Sequence, residues 1–290
     1  MNAKKKRLST KAQTRAEKER GRRIATTIFL VFILLIVVFS SYFTYNFLNQ
    51  PQSQAVNPAS SQLKAVIVDH LSLTFPNQTF IEEATNILKQ AGYMVDYYPG
   101  EEVTVEFYKN LPTHGYSIII LRVHSSAAEL RAGEFIETPV GIFTTEQYSQ
   151  SRYVYEQLTD QLLAASYSMP QPPYYFAIVP KFVTQSMKGA FKNTIIIMMG
   201  CEGLNNTKMA EAFIEKGAKA YIGWKGSVLV SHTDTATIHL LHHFLVENQT
   251  IKQAVTETMK EVGTDPTYNS QLTYYPTNAG EYTIKNLEGA

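Results

Sequence analysis

A cysteine and a histidine each follow a strongly apolar stretch of the chain, and their side chains are suited to nucleophilic chemistry. His124 comes directly after residues 116–123, and Cys201, the single cysteine of the 290-residue chain, follows residues 194–199 and one glycine. A thiolate is a strong nucleophile, and a neighbouring imidazole can take the thiol proton. If the two apolar stretches are adjacent strands of a parallel sheet, both side chains emerge at its carboxyl edge. The spacing therefore favours a thiol–imidazole pair that performs acyl transfer.

Further features of the sequence would assist this pair. A helix predicted to begin near Asn206 would point the positive end of its dipole at the sulfur, which lowers the pKa of a thiol. The backbone N–H groups of Ser125 and Cys201 are predicted to hold an oxyanion. A single cysteine also excludes an internal disulfide framework and a cysteine-rich metal site. The predicted chemistry therefore uses no cofactor.

The elements that must position these residues alternate between strands and helices. Apolar, β-branched runs predict strands at residues 64–68, 93–98, 116–123, 174–179, 194–199 and 218–224. Amphipathic stretches predict helices at residues 77–90, 103–111, 153–166, 207–216, 231–247 and 250–262, and residues 134–146 are typical of a hairpin. This alternation predicts an α/β fold with an open, mostly parallel sheet and helices on both faces.

The order of short motifs along residues 63–263 is distinctive. One apolar strand ends in His124-Ser125, and a later one ends in Gly-Cys-Glu-Gly at residues 200–203. Residues 209–224 then contain a helix that ends in Gly-Ala and a strand that closes with a tryptophan. This arrangement resembles the caspase-like clan of cysteine peptidases, which includes caspases, gingipains, separases and CHAT domains.

The resemblance implies a cysteine endopeptidase that acts on a protein or peptide. In such an enzyme Cys201 is the nucleophile and His124 is the general base and acid. The sequence departs from the family pattern at Ser125, where the family commonly has glycine, and at Gly200, where it often has alanine. The alternative is a catalytically inactive caspase-like ectodomain that binds a protein or peptide.

The resemblance also suggests residues that would line the substrate pocket. Family members that cleave after basic residues place carboxylates there, and Asp234 matches such a position in separase-like relatives. Asp69 at the end of the first strand, Glu202 beside the cysteine and Trp224 at the end of its strand are the other candidates. The hypothesis is a preference for Arg or Lys at the substrate position before the cleaved bond.

The N-terminal part of the chain has the pattern of a membrane anchor. Residues 24–47 carry no charged side chain, and they are long enough to cross the roughly 30 Å hydrocarbon core of a bilayer. They are also longer than the apolar core of about 7–15 residues in a cleaved secretory signal. Residues 1–23 form a basic tail, residues 48–62 read as a polar linker, and residues 63–290 read as the folded peptidase domain.

The charge distribution sets the predicted orientation and limits the partners. Residues 1–23 contain ten Lys or Arg and two Glu, which leaves 16 Lys or Arg against 23 Asp or Glu in the remainder. A basic tail before a membrane helix keeps the N-terminus in the cytoplasm and places the following domain outside. Because the folded part is acidic, the sequence predicts no nucleic-acid partner.

Histidines cluster in the stretch that predicts the helix at residues 231–247. His239 and His243 stand four residues apart, as in helical metal sites, with His232 and His242 nearby. His232 lies about 10 Å along the helix axis from His239, too far to share one ion. No glutamate completes an HExxH motif here. The sequence therefore predicts a solvated or packed helix face and no metal.

Overall fold

The computed structural model describes residues 63–127, 130–132, 135–167 and 171–285. Its strands are β1 (Lys64–Asp69), β2 (Met94–Pro99), β3 (Ile118–Arg122), β4 (Ser125–Ala127), β5 (Leu130–Ala132), β6 (Phe135–Glu137), β7 (Val140–Gln147), β8 (Leu162–Ala165), β9 (Tyr175–Ile178), β10 (Ile195–Met198), β11 (Ala220–Trp224) and β12 (Leu272–Tyr275). Six of them form the main sheet in the order β12–β11–β10–β3–β1–β2. All neighbours in this sheet are parallel except β12, which runs antiparallel to β11. The predicted open, mostly parallel sheet is confirmed.

Helices cover both faces of the main sheet, also as predicted. They are α1 (Gln78–Gln90), α2 (Val105–Asn110), α3 (Val154–Leu158), α4 (Pro180–Gln185), α5 (Lys208–Glu215), α6 (Val230–Leu241), which continues as a π-helical turn at His242–Val246, and α7 (Ile251–Val262). Successive strand residues point to opposite faces, so Ile67 packs with α1, α6 and α7, whereas Val68 packs with α2, α4 and α5. Helix α1 begins where predicted, because the side chain of Asn77 accepts a hydrogen bond from the backbone N–H of Phe80 at 3.2 Å.

A smaller sheet is formed by strands that come between β3 and β10 along the chain. Its order is β4–β7–β9–β8. Two predictions for this part of the chain are wrong. The helix predicted at residues 153–166 ends at Leu158, and its second half is strand β8, because residues 162–165 pair with β9. The hairpin predicted at residues 134–146 is also wrong, since β6 pairs with β5 while β7 pairs with β4 and β9. Pairing between distant strands overrides local preference in both places.

The predicted basic tail, membrane helix and linker occupy residues 1–23, 24–47 and 48–62, and all three lie outside the described residues. Among the residues that the structure does describe, none of the helices has the length and apolar character needed to cross a bilayer. The membrane anchor therefore stays a prediction from the sequence.

Candidate active site

The two candidate catalytic residues lie at the ends of neighbouring strands. Strands β3 and β10 are paired in parallel, with Leu121 opposite Met198. His124 lies three residues beyond Leu121, and Cys201 lies three residues beyond Met198. Both residues therefore leave the sheet at its carboxyl edge at the same level, which confirms the predicted adjacency of the two strands.

His124 and Cys201 line one open cavity of about 540 Å³. The lining includes Phe75 from the turn after β1, which is 52% exposed, and Tyr268, which is 54% exposed. It also includes Val228 and Leu229, which precede α6, and Val230, the first residue of α6. Exposed aromatic side chains beside a polar cavity floor suit the binding of a partly apolar chain such as a peptide.

A set of polar and aromatic side chains holds the His124 ring. Thr74 Oγ1 lies 3.0 Å from His124 Nε2, and the ring of Tyr167 lies 4.6 Å from the imidazole centroid. His70 Nδ1 accepts a hydrogen bond from the His124 backbone N–H at 3.5 Å, and its Nε2 lies 3.1 Å from the Tyr167 hydroxyl. None of these three neighbours could be predicted from the sequence, because none of them lies in a motif.

The Cys201 sulfur has its own partners in this conformation. The Sγ atom lies 3.5 Å from both the backbone N–H and the carbonyl oxygen of Val228, whereas His124 Nε2 faces Thr74. The sulfur and His124 Nε2 therefore each have a hydrogen-bond partner other than one another in this conformation. Catalytic hydrogen bonds often tighten only when the substrate is bound.

Both reactive groups are electrically neutral near pH 7. Burial, reinforced by the charge of Arg122, lowers the pKa of His124 to about 4. Burial raises the pKa of the Cys201 thiol, and the charges of Glu202 and Asp265 raise it further. The prediction of a lowered thiol pKa is therefore wrong in this conformation, since burial is its largest influence and α5 begins only at Lys208.

If the pair catalyses peptide hydrolysis, as the resemblance implies, these pKa values predict the pH dependence of the reaction. His124 must be neutral to accept a proton, and its pKa of about 4 keeps it neutral from pH 7 down to nearly that value. We therefore expect kcat/KM for a peptide substrate to show an acid limb near pH 4 rather than near the ordinary histidine value of about 6.5. Steady-state assays between pH 3.5 and 8, with denaturation monitored in parallel, test this. An acid limb at pH 6 to 7 in folded protein would contradict it.

Ser125 and Gly200 fit together where the two strands end. A Cβ atom on Gly200 would lie 2.3 Å from Ser125 Oγ and 2.7 Å from the carbonyl oxygen of Val123. Ser125 is buried in β4, and its hydroxyl donates a hydrogen bond to the Cys201 carbonyl at 2.5 Å. The Ser125 backbone is extended, a conformation that any residue can adopt. The glycine that caspase-like peptidases commonly have at this point is therefore not needed. Gly200 therefore leaves no room for a side chain, against both the Ser125 hydroxyl and the Val123 backbone.

A Gly200→Ala substitution is expected to destabilise the protein by about 1–3 kcal/mol, because it overpacks this junction. Adding Ser125→Gly should recover part of the loss, since it removes the nearer clash and leaves the one with Val123. Urea unfolding of both variants measures the effect. Gly226→Ala is the control, because a Cβ there meets Ser270 at an ordinary 3.5 Å. Equal stability of the Gly200 and Gly226 variants would contradict the expectation.

A buried charge cluster lies beside the cavity, and two of its members, Arg122 and Asp234, line the cavity floor. Arg122 is fully buried, and its Nε and Nη2 atoms donate to the two carboxylate oxygens of Asp234, each at 2.8 Å. Its Nη1 atom donates to Asp69 at 2.7 Å, and Asn77 also donates to Asp234 at 2.9 Å. Arg122 was not predicted as a site residue, although it is a charged residue within the otherwise largely apolar run at 116–123. Both predicted carboxylates are thus already paired with this arginine.

Of the four predicted substrate residues, only Asp234 lines the cavity, whereas Asp69, Glu202 and Trp224 do not. Glu202 adopts a left-handed conformation with φ of 61°, and its carboxylate accepts hydrogen bonds from Ala127 N at 2.7 Å and from Ser227 Oγ at 3.4 Å. Trp224 is buried, and its indole N–H donates to Thr233 Oγ1 at 2.9 Å. Glu202 therefore joins β4 to the loop after β11, and Trp224 packs in the core below α6.

Comparison with known proteins gives no family for this chain. No protein-family model matches it, and no curated protein sequence is significantly similar to it. The resemblance to caspase-like peptidases therefore rests on the short motifs around His124 and Cys201, and a function has to be argued from the site.

Proposed function

We propose that the domain from residue 63 onward is a cysteine endopeptidase of the caspase-like kind, with Cys201 as nucleophile and His124 as general base and acid. The observation that carries the proposal is the parallel pairing of β3 with β10, since this pairing brings the single thiol of the chain and an imidazole into one cavity. A nucleophile and a base at the carboxyl edge of an open α/β sheet lie where such folds place their chemistry.

The reaction begins when His124 takes the thiol proton and the Cys201 sulfur attacks the carbonyl carbon of the scissile bond. The backbone N–H groups of Cys201 and Ser125 are the proposed donors to the oxyanion. Collapse of the intermediate breaks the C–N bond, and the imidazolium gives its proton to the leaving amine. Water, deprotonated by His124, then hydrolyses the thioester and restores the thiol.

The charge on the cavity floor supports a preference for Arg or Lys before the cleaved bond. Asp234 is not free to pair with a substrate cation, because Arg122 and Asn77 already occupy both of its oxygens. The cluster nevertheless contains two carboxylates and one guanidinium, so its formal charge is −1. This surplus charge favours a basic over an acidic substrate side chain. A fluorogenic panel that shows no gain for basic residues would reject the preference.

The proposal also places the peptidase on the far side of the cytoplasmic membrane, held by residues 24–47. The support is the uncharged run with its basic flank, which holds the N-terminus inside. Protease digestion of intact spheroplasts, followed by detection of tags at both termini, tests this topology. Protection of the C-terminal tag in intact cells, with digestion only after lysis, would reject it.

The second candidate is a catalytically inactive ectodomain that binds a protein or peptide in the same cavity. One observation favours it, namely that the sulfur faces Val228 and the imidazole faces Thr74. A peptide would then contact the exposed Phe75 and Tyr268 without being cleaved. Both candidates predict peptide binding, and only the peptidase predicts a reactive thiol that depends on the imidazole.

The experiment that separates them uses the full chain in detergent and a peptidyl acyloxymethyl ketone, which alkylates the thiol of a working cysteine peptidase. The peptidase predicts one adduct on Cys201 by mass spectrometry, together with loss of peptide hydrolysis. It also predicts that His124→Ala slows the labelling strongly. Slow labelling that is the same in both proteins would reject the peptidase and favour the binding module.

A further inference from the structure

Two histidines and a glutamate meet where the C-terminal end of α6 packs against α7. His239 belongs to α6, His243 lies in the π-helical turn that follows, and Glu261 belongs to α7. Glu261 Oε2 lies 2.6 Å from His239 Nδ1 and 3.0 Å from His243 Nε2. One atom from each of the three side chains therefore converges on one point between two helices.

We propose that His239, His243 and Glu261 bind a divalent transition-metal ion of the zinc class, and that this ion fastens α6 to α7. The chosen atoms all lie within 4.8 Å of one another. Ligand atoms around a tetrahedral zinc ion are about 3.3 Å apart, because each lies about 2.0–2.1 Å from the metal. To reach that spacing, Glu261 Oε2 would move about 0.7 Å away from His239 Nδ1 and about 0.3 Å away from His243 Nε2.

The ligand types decide which class of metal fits. Two imidazole nitrogens and one carboxylate oxygen suit zinc and its transition-metal neighbours, whereas calcium and magnesium prefer oxygen ligands alone. The side chain of His243 is only 9% exposed, while those of His239 and Glu261 are 41% and 43% exposed. One ligand is thus anchored in the protein, and the other two can adjust around an ion that arrives from solvent.

Independent features beside the three ligands also indicate a cation. A cavity of about 390 Å³ is lined by His243 and by the carboxylates of Glu247, Glu257 and Glu261. Gln249 lines the same cavity, and its Oε1 atom is buried with no hydrogen-bond partner among the described residues. A buried oxygen such as Gln249 Oε1 normally accepts a hydrogen bond. Beside three carboxylates, a metal-bound water would supply the missing donor.

The local backbone is unusual at the same place. Helix α6 does not end regularly but widens into a π-helical turn over residues 242–246, and this turn contains His243. Such turns are rare, and they are found frequently at functional sites. The spacing of residues within one helix could not predict the third ligand. Glu261 is 18 residues away from His243 and belongs to the next helix.

Zinc titration of the tag-free full chain, stripped with EDTA and held in detergent, tests the proposal by competition with a chromophoric chelator. We expect one equivalent to bind, and we expect Glu261→Gln to weaken binding at least about tenfold, as loss of a supporting or ligating group does. Glu261 is half-exposed, so this near-isosteric change should leave the fold intact. Zinc should also raise the Tm of the wild type and not that of the variant.

The matched control is His232→Ala, which removes a histidine of the same helix that packs on Trp224 instead. Its zinc affinity should stay within twofold of the wild type. His239→Ala is the second ligand variant, and it should resemble Glu261→Gln. Wild-type binding weaker than millimolar, or unchanged affinity in both ligand variants, would overturn the proposal. Because no readout here is peptidase activity, this outcome is independent of the proposed catalysis.

Discussion

A His124→Ala variant is expected to lose about 10²- to 10⁴-fold in kcat/KM for peptide hydrolysis, the usual contribution of a general base. The loss should fall in the upper part of that range. The reason is that burial raises the pKa of the Cys201 thiol, so little thiolate forms near neutral pH without a proton acceptor. Steady-state hydrolysis of a fluorogenic peptide by the full chain in detergent measures the effect.

The matched control is His114→Ala, at the opposite edge of the sheet. His114 precedes β3 and stacks on Tyr116 with ring centroids 5.7 Å apart. Its removal should leave kcat/KM within about twofold. If the His124 variant retained more than a tenth of wild-type activity while folded, the imidazole would not be the general base.

An Arg122→Met variant should lose about 3–5 kcal/mol of unfolding free energy, because removal of one partner from a buried ion pair strands the other charge. Here two buried carboxylates, those of Asp69 and Asp234, would lose their positively charged partner. Protonation removes the charge of a stranded carboxylate, so the loss should shrink as the pH is lowered. Urea unfolding at pH 7 and pH 5 measures both effects.

Neutral partners should restore much of this stability. Adding Asp69→Asn and Asp234→Asn to Arg122→Met removes the stranded charges, and we expect the triple variant to be clearly more stable than Arg122→Met alone. The surface control is Arg152→Met, whose side chain is 52% exposed beside Glu146 and whose loss should cost about 1 kcal/mol or less. Equal losses at Arg122 and Arg152 would show that the cluster does not stabilise the fold.

Several structural features could be predicted because they depend on short stretches of chain. Largely apolar runs at residues 116–123 and 194–199 indicate buried parallel strands, and the structure pairs them. Because His124 and Cys201 come just after these two runs in the sequence, their positions at the strand ends could be predicted as well. Asn77 was recognisable as a helix cap because it precedes an amphipathic stretch, and its side chain does cap α1.

Contacts between distant segments could not be obtained from such patterns. Arg122 and Asp234 are 112 residues apart, and nothing in either neighbourhood indicates that one neutralises the other. The same holds for Glu261 beside His243, for Ser125 beside Gly200, and for residues 162–165, which become a strand only by pairing with β9. Periodicity reports which face of an element is buried, whereas ion pairs, close packing and strand pairing depend on which elements the fold brings together.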